Sequence, residues 1–538
     1  MRTLLLGLDG ACLPVLDRLR DRGAIPTIAD LFSAGAVDGL TSQIPPWTPS
    51  AWPSLYTGVN PGKHGVYGFL SFDGYDWSVV DRTDVDEYAI WELLDREGYD
   101  SVVVNVPVTH PPRTIDGAVV PGYVAPEDPE CVPDDALEIA GVADEYRVYP
   151  PKESRSSREA QVAAFEDLAA SRGRVFTRLA AEYDPVFGFL QFQTTDTVFH
   201  ERPDDWDAIE RVYAAVDDAV ADVLERCDPR NVIVVSDHGM GEYTGAEFRV
   251  NEFLRDRGYV ETKRGGEGMP SWDSIARNQL QDGADGDAPS PGLAARAAAA
   301  AARAGLTSQR IERVLEPLGL ADVVADIAPT DAVRAGTEQV EFAESTAYMR
   351  SRIELGVRIN LEGREPEGKV PRERYDEVRA ELIEQLTAVR KPDGARVFES
   401  VQPREAVFEG PHVEAAPDVV LVPAEFDEFL SGSLRGAQFG PPSEQYNHKR
   451  VGVFAATGAD VTPAAMTDAE RPHIFDVAPT VLATFGVAPS DRMDGSVLPL
   501  VEGAGSRSYP EFDARDAGTT TSETVEEQLA NLGYLEDV

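Results

Sequence analysis

Short, continuous apolar runs alternate with helical patterns along most of this 538-residue chain. The runs are bounded by Gly, Asp or Pro and cover residues 4–8, 101–106, 186–192, 232–235, 419–422 and 451–455. Such runs are typical of strands buried on both faces, as in a parallel sheet between layers of helices. The helical patterns lie at 87–96, 158–183, 207–225, 372–389 and 474–485. The alternation predicts an α/β fold with a doubly wound, mostly parallel sheet sandwiched by helices.

Two segments interrupt this alternation and are predicted to be insertions on the core. Residues 111–158 are rich in proline and acids, and residues 260–340 open with Gly/Asp loops before an Ala-rich helical pattern around 294–304. Insertions at the carboxyl edge of such a sheet commonly shape a substrate pocket. We therefore divide the chain into core segments 1–110, 159–259 and 341–505, an insertion at 111–158, a helical insertion or cap at 260–340, and a polar C-terminal tail at 506–538.

The charge balance argues against anionic partners. Lys and Arg number 49 against 94 Asp and Glu, which gives a net charge of −45 at pH 7. Such a surface repels nucleic acid phosphates and anionic lipids, so we expect neither nucleic acid nor membrane partners. The acids run along the whole chain rather than in one tail. This distribution indicates a halophilic protein whose self-repulsion is screened by salt.

No targeting segment, membrane span or cysteine framework is expected. The opening residues turn acidic too soon for a signal peptide, and no run approaches the roughly 18 apolar residues of a membrane span. We therefore expect a soluble, cytoplasmic protein. Cys12, Cys131 and Cys227 form no C-x-x-C pair and no even set, so neither a zinc knuckle nor a disulfide scaffold is indicated.

Two residues near the start of the chain are candidates for ligand binding or catalysis. Asp9 follows the first apolar run, at the end of a strand where ligands bind, although an Asp there is more often a turn or N-cap residue. Thr48 precedes Pro49, a position suited to capping a helix. A hydroxyl there faces the positive helix end, which favours a phosphoryl group and an alkoxide, but plain N-capping explains it too. Ser50 and Ser54 compete as nucleophiles but would fall inside the helix.

Two further pairs of residues follow predicted strands. Asp196 and His200 are four apart, so on a helix they share one face and can chelate one ion. A D-x-x-x-H match also arises readily by chance in so acidic a chain. Asp237 and His238 shortly follow the run at 232–235 and are followed by Gly239. Two adjacent polar residues at the end of a buried strand have little structural reason to exist, which favours a functional site.

The last candidate, His448, shortly precedes the run at 451–455, where a lone histidine is ordinarily a loop residue. Together, the candidates supply three carboxylates, three imidazoles and one hydroxyl: Asp9, Thr48, Asp196, His200, Asp237, His238 and His448. Mixed nitrogen and oxygen ligands suit zinc or another borderline divalent ion such as manganese. Seven groups are enough for two ions.

The order of these motifs resembles the alkaline phosphatase superfamily, in particular the type I phosphodiesterase/nucleotide pyrophosphatase family. The segments that are similar to those of the family include Thr-Gly-Val-Asn-Pro-Gly-Lys-His-Gly at 57–65, Ser-Asp-His-Gly-Met at 236–240 and Arg-Met-Asp-Gly at 492–495. The similarity runs from 4–9 to 476–483. It implies an alkaline phosphatase-like fold with inserted cap segments.

When the functional residues of the family are assigned to matching positions of this sequence, the resemblance implies two metal sites and a nucleophile. One ion would be surrounded by Asp9, Thr48, Asp237 and His238, and the other by Asp196, His200 and His448. Asn105 falls where the family often places an oxyanion-stabilising Asn. Two ions so placed would favour the Thr48 alkoxide for in-line attack and neutralise the departing oxygen.

The implied function is hydrolysis of a phosphodiester or nucleotide pyrophosphate-type bond in a small-molecule substrate, through a covalent phospho-Thr48. Animal members of the family usually carry Thr-Phe-Pro-Asn at the nucleophile, whereas Thr48 is followed here by Pro49, Ser50 and Ala51. In this segment the chain is similar to the prokaryotic branch of the family. Together with the acidic composition, this similarity favours a haloarchaeal member.

Other functions stay open on the sequence alone. The superfamily includes phosphomonoesterases and phosphoryl or headgroup transferases, and such a fold can persist as a non-catalytic phosphate ester-binding protein. Relics of that kind normally lose ligands, whereas all seven positions are filled here. A sulfatase is disfavoured because the segment 48–52 lacks both the Cys and the Arg of the C/S-x-P-x-R pattern. Neither the leaving group nor the oligomeric state has a readable signature.

Overall fold

The computed structural model describes residues 1–143, 146–264, 338–466 and 470–512. The Ala-rich pattern around 294–304 and the end of the predicted tail, 513–538, lie outside the described residues. The division of the chain into core segments and insertions stays a prediction.

The described residues contain these secondary-structure elements. The strands are β1 (Thr3–Leu8), β2 (Ala36–Thr41), β3 (Leu70–Asp73), β4 (Asp76–Val79), β5 (Ser101–Val104), β6 (Gly117–Val120), β7 (Phe187–Phe192), β8 (Asn231–Val235), β9 (Gly239–Glu242), β10 (Glu247–Arg249), β11 (Thr262–Arg264), β12 (Glu338–Val340), β13 (Ala347–Tyr348), β14 (Gly356–Ile359), β15 (Phe398–Pro403), β16 (Val419–Pro423), β17 (Phe429–Ser431), β18 (Phe439–Gly440), β19 (Tyr446–Lys449) and β20 (Val451–Gly458). The α-helices are α1 (Leu13–Asp21), α2 (Pro26–Ala34), α3 (Thr48–Thr57), α4 (Pro61–His64), α5 (Ile90–Arg96), α6 (Ala136–Ile139), α7 (Arg158–Tyr183), α8 (Thr194–Glu201), α9 (Trp206–Cys227), α10 (Val250–Asp256), α11 (Tyr375–Thr387) and α12 (Val477–Thr484).

A seven-stranded sheet in the order β2-β20-β8-β1-β7-β5-β6 forms the centre of the fold. β1 pairs in parallel with β7 on one side and β8 on the other, and β5 and β6 continue the parallel part. β20 runs antiparallel to both β8 and β2. The predicted α/β fold with a mostly parallel sheet is therefore confirmed.

Helices cover both faces of this sheet. Side chains of β1 alternate between the faces, as strand geometry requires, with Leu4 and Leu6 packed in one core and Leu5 in the other. The first core includes apolar residues of α7 and α9, and the second includes residues of α3, α5 and α12. The long helix predicted at 158–183 is present as α7 with those bounds.

One predicted apolar run lies outside the central sheet. The run at 419–422 forms β16, but in a separate four-stranded sheet ordered β13-β14-β16-β15, where the pairings are antiparallel. All five residues of β16 are buried, in a third core that includes Leu382 and Leu386 of α11. A continuous apolar run predicts burial on both faces, but it does not say which sheet provides that burial.

The predicted insertion at 111–158 also takes part in the central sheet. Its residues Gly117–Val120 form β6, which pairs with β5 and lies at the end of the strand order.

Among the helices of the described ranges, none is both long enough and apolar enough to cross a bilayer.

Candidate metal centre

The seven residues predicted as metal ligands come together near the carboxyl ends of β1, β7 and β8. Asp9 directly follows β1, Asp196 lies in the first turn of α8 after β7, and Asp237 and His238 follow β8. The parallel register of these three strands places their ends at one edge, where ligands bind in sheets of this kind. His448 reaches the same edge from β19, which pairs with β9 just after His238.

The first group of donor atoms contains Thr48, Asp9, Asp237 and His238. Thr48 Oγ1 lies 3.4 Å from Asp9 Oδ1 and 3.4 Å from His238 Nε2. His238 Nε2 lies 3.6 Å from Asp9 Oδ1 and 3.3 Å from Asp237 Oδ2. Donors placed tetrahedrally around a zinc ion, at bond lengths of about 2.0–2.1 Å, lie about 3.3 Å from one another. The spacing of these atoms therefore fits one tetrahedral ion.

The second group of donor atoms contains Asp196, His200 and His448. The Nε2 atoms of His200 and His448 lie 3.0 Å apart. Asp196 Oδ1 lies 3.4 Å from His200 Nε2 and 3.5 Å from His448 Nε2. This spacing also fits one ion, and three protein donors leave a coordination position open, as in catalytic zinc sites.

Two carboxylate oxygens of the site are buried without a hydrogen-bond donor. Asp237 Oδ1 accepts a hydrogen bond from the Gly10 N–H at 3.3 Å, while Asp237 Oδ2 and Asp196 Oδ1 are buried and accept none. A buried carboxylate oxygen without a donor costs free energy, so such atoms need a partner. Both of these oxygens are the ones that face the donor groups, so divalent cations fit the residues present.

Neighbouring carbonyls orient two of the imidazoles for metal binding. Nδ1 of His448 lies 3.0 Å from the Pro46 carbonyl oxygen, and Nδ1 of His238 lies 2.9 Å from that of Gly239. A carbonyl accepts only, so each Nδ1 carries the proton and each Nε2 presents its lone pair to the donor group. The rings of His238 and His448 stack at 3.6 Å between centroids, which places the two groups side by side.

The charges of the site are poorly compensated without cations. Burial, and then the charges of Asp237 and Asp196, hold the pKa of Asp9 well above its usual value. Partial desolvation lowers the pKa of His200, but the charge of the neighbouring Asp196 carboxylate outweighs it and raises the pKa to about 9. Burial, followed by the charges of His238 and His200, holds the pKa of His448 well below its usual value. Cations between these groups would relieve the repulsion among the carboxylates.

Thr48 does not cap its helix in the predicted way. The N-cap of α3 is Trp47, Thr48 is the first helical residue, and no side chain closes the helix start. The Thr48 hydroxyl faces Asp9 and His238 instead. Ser50 and Ser54 lie inside α3, and both hydroxyls donate elsewhere, Ser50 to the Val66 carbonyl and Ser54 to Gln43.

Asn105 lies apart from the donor atoms. It is fully buried, with a φ of +64°, and its Nδ2 donates to Gln191 twice, to the main-chain oxygen at 3.1 Å and to Oε1 at 2.7 Å. Both hydrogens of the Asn105 amide are therefore engaged in hydrogen bonds to Gln191. As an oxyanion donor, Asn105 would first have to release Gln191, so that role stays a prediction.

Sequence reasoning missed the residues that hold Asp9. Asp9 Oδ2 accepts hydrogen bonds from Trp52 Nε1 and from Gln191 Nε2, each at 2.8 Å. Gln191 was recognisable in principle, since it is one polar residue within the apolar run 186–192 and a buried amide needs partners. Gly10 is close too: a Cβ there would lie 2.9 Å from Asp196 Oδ1.

The chain is similar to known proteins in sequence and in fold. The family model described as type I phosphodiesterase / nucleotide pyrophosphatase matches residues 3–436. Phosphonoacetate hydrolase from Sinorhizobium meliloti 1021, in complex with phosphonoformate, is similar with a TM-score of 0.54 and 18% identity, over 89% of this chain and 94% of that one. Human ectonucleotide pyrophosphatase / phosphodiesterase 5 has a TM-score of 0.49 and 14% identity, over 94% of this chain and 100% of that one. No curated protein sequence matches the chain. The likeness to the hydrolase shows a shared fold.

Proposed function

The chain belongs to the type I phosphodiesterase / nucleotide pyrophosphatase family, and from this premise we propose that it cleaves a phosphodiester or nucleotide pyrophosphate-type bond through a covalent phospho-Thr48. Membership of this family makes it a metal-dependent phosphoester hydrolase. One observation carries the finer proposal. The Thr48 hydroxyl lies 3.4 Å from donor atoms of both Asp9 and His238, inside a group whose spacing fits one ion.

Two divalent ions complete the proposed site. Asp9, Thr48, Asp237 and His238 would hold one, and Asp196, His200 and His448 the other. The spacing of the donor atoms and their mixed nitrogen and oxygen chemistry favour zinc, with manganese as the alternative. When bound, the ions would supply positive charge that stabilises an ionised Thr48 and the charge developing on the phosphoryl oxygens.

The chain's own residues then carry the two displacement steps. Thr48 Oγ1 attacks phosphorus, an O–P bond forms, and the leaving group departs in line with the electrons of its P–O bond. The Thr48 proton points toward Asp9 Oδ1, to which the hydroxyl donates at 3.4 Å. A water molecule then attacks the phospho-Thr48 phosphorus, a new O–P bond forms as the Oγ1–P bond breaks, and a proton from the water ends on Oγ1, which restores the free hydroxyl. Because α3 begins at Thr48, the positive end of the helix favours the phosphoryl group throughout.

The experiment compares bis-p-nitrophenyl phosphate with p-nitrophenyl phosphate, before and after chelation and after zinc or manganese is restored. We expect the diester to be cleaved with the higher kcat/KM, with activity lost on chelation and regained with metal. Preference for the monoester would make the protein a phosphomonoesterase. Absence of turnover with both sites loaded would favour a phosphate ester-binding protein, and product appearing only with an added alcohol acceptor would favour a transferase.

A matched pair of histidine variants ties the result to the site. His448→Ala removes a proposed ligand, whereas His412→Asn alters a half-buried histidine that contacts Asp86 at 2.9 Å instead. We expect only the first to lose metal-dependent turnover. The halophilic character, the cytoplasmic location, the lack of nucleic acid and membrane partners, and the choice of leaving group by the inserted segments stay predictions.

A further inference from the structure

Asp9 uses its two carboxylate oxygens differently. Oδ1 faces Thr48 and His238, at 3.4 and 3.6 Å. Oδ2 accepts two hydrogen bonds of 2.8 Å, from Trp52 Nε1 and Gln191 Nε2. The residue is fully buried, so no solvent replaces a donor that is removed.

The Gln191 amide is itself held in one orientation. Its Nε2 donates to Asp9 Oδ2 and, at 3.2 Å, to Gln193 Oε1. Its Oε1 accepts from Asn105 Nδ2 at 2.7 Å. Turning the amide over would place an N–H against the Asn105 N–H and an oxygen against the Asp9 carboxylate, so the nitrogen is fixed toward Asp9.

The indole of Trp52 is equally constrained. It is fully buried in α3, and Gly7 of β1 leaves the space that its ring occupies. A Cβ on Gly7 would lie 2.6 Å from Trp52 Cη2. The N–H of Trp52 therefore approaches Asp9 Oδ2 from a ring that is packed closely against Gly7, in the strand that Asp9 follows.

We propose that Trp52, Gln191 and Asn105 are positioning residues that present Asp9 to the first ion through Oδ1 alone. Asn105 acts through Gln191, and Trp52 acts directly. This inference rests on the proposed metal-dependent function, and it gives Asn105 a role other than oxyanion stabilisation. The physical reason is that hydrogen bonds behind a ligand fix its orientation, and that losing them typically weakens metal affinity by about 10–100-fold.

The two roles for Asn105 predict different measurements. An oxyanion donor contributes only during turnover, so its removal lowers kcat and leaves metal affinity unchanged. A positioning residue acts on the resting ligand set, so its removal weakens the ion held by Asp9. Asp9 Oδ2 is hydrogen-bonded to Trp52 and Gln191, not to Asp196, His200 or His448, so an ion held by those three residues would serve as an internal reference in the same protein.

The test titrates zinc into the metal-free full-length protein by calorimetry with a competing chelator. The variants are Gln191→Met, which keeps the side-chain volume but loses the N–H, Trp52→Phe, which loses the N–H and keeps an aromatic ring of smaller volume, and Asn105→Gly, which tolerates the positive φ. Gln43→Met is the matched control, since Gln43 is a buried amide that is hydrogen-bonded to Ser50 and Ser54 of α3, the helix that also carries Trp52. Cobalt(II) absorption spectra of the same proteins report the coordination geometry.

We expect the three test variants to bind one of two ions about 10–100-fold more weakly, and Gln43→Met to bind both as the parent does. Unchanged affinity in Gln191→Met and Trp52→Phe, with the thermal transition retained, would overturn the proposal. So would equal weakening of both ions in all variants including the control, because that pattern reports a loosened fold. Since no turnover is measured, a protein that binds two ions but cleaves no ester would refute the proposed function and leave this inference standing.

Discussion

Thr48 Oγ1 lies 3.4 Å from Asp9 Oδ1, although 39 positions separate the two residues in the chain. Asp9 directly follows the central strand β1, and Thr48 begins α3, which packs in the core on one face of that strand. Because of this proximity, we propose the hydroxyl at the start of α3 as the nucleophile. A variant that lacks this hydroxyl can therefore test the role of Thr48 separately from the roles of the residues that only bind metal.

Replacing Thr48 by Ala removes the attacking oxygen but leaves Asp9, Asp237 and His238 in place. We expect turnover of a diester to fall by a factor on the order of 10⁴ or more, as happens when other covalent enzymes lose their nucleophile. Metal content, measured by elemental analysis, should stay at the parental level. Thr48→Ser keeps a hydroxyl and should retain part of the activity. Turnover near the parental rate in Thr48→Ala would exclude the nucleophile assignment.

Gly10 and Gly98 form a matched pair for testing how tightly the metal centre is packed. Both have positive φ, +65° and +78°. A Cβ on Gly10 would lie 2.9 Å from Asp196 Oδ1 and 3.4 Å from His238 Cε1, whereas a Cβ on Gly98 would meet nothing within 4 Å. Both alanine variants should lose about 1–2 kcal/mol of stability from the left-handed backbone. Only Gly10→Ala should also lose metal affinity, measured by zinc titration, and equal zinc affinity in the two variants would contradict this packing.

Asp418 is expected to stabilise the second sheet in a pH-dependent way. It is fully buried and accepts hydrogen bonds from Arg364 at 2.7 and 2.8 Å and from Arg404 at 3.0 Å. Burial alone would raise the pKa of Asp418, but these arginines, Arg364 above all, lower it to about 2. Asp418→Asn leaves buried guanidinium groups without their carboxylate, so we expect a loss of about 3–5 kcal/mol near neutral pH in urea unfolding.

The sign of the pH dependence follows from the lowered pKa. The folded value lies below the unfolded value of about 3.9, so the carboxylate contributes fully above that pH and its contribution is lost as the pH falls toward about 2. The stability difference between the parent and Asp418→Asn should therefore narrow over this interval, by roughly 2 kcal/mol. A difference that stays constant from neutral pH down to that range would rule out the charge as its origin.

Salt should stabilise the folded protein strongly because the net charge is −45. Raising potassium chloride from about 0.1 M to about 1 M shortens the Debye length from about 10 Å to about 3 Å and screens the repulsion among surface carboxylates. We expect the thermal midpoint to rise steeply over this range in calorimetry. A neutral osmolyte at the same osmolarity serves as the control. A midpoint that responds equally to the osmolyte would mean that screening is not the cause.

Much of the fold is readable from local pattern because burial and periodicity are local properties. Apolar runs predicted the strands that became β1, β7 and β8, and the 3.6-residue pattern at 158–183 predicted α7. The run at 419–422 was recognised as a buried strand but not assigned to its own antiparallel sheet. Sheet membership depends on pairing between segments far apart in the chain, which no local pattern encodes.

The sequence by itself determined the residue types of the candidate site and their positions at strand ends, since Asp9 and the Asp237-His238 pair follow apolar runs. Only the tertiary structure decided which atoms meet. It turned the Thr48 hydroxyl toward the donor atoms and placed Asn105 behind Gln191. The reason is one of scale: a sequence pattern fixes the face on which a side chain lies, whereas binding chemistry depends on contacts of 3–4 Å, set by strand order, register and rotamers together.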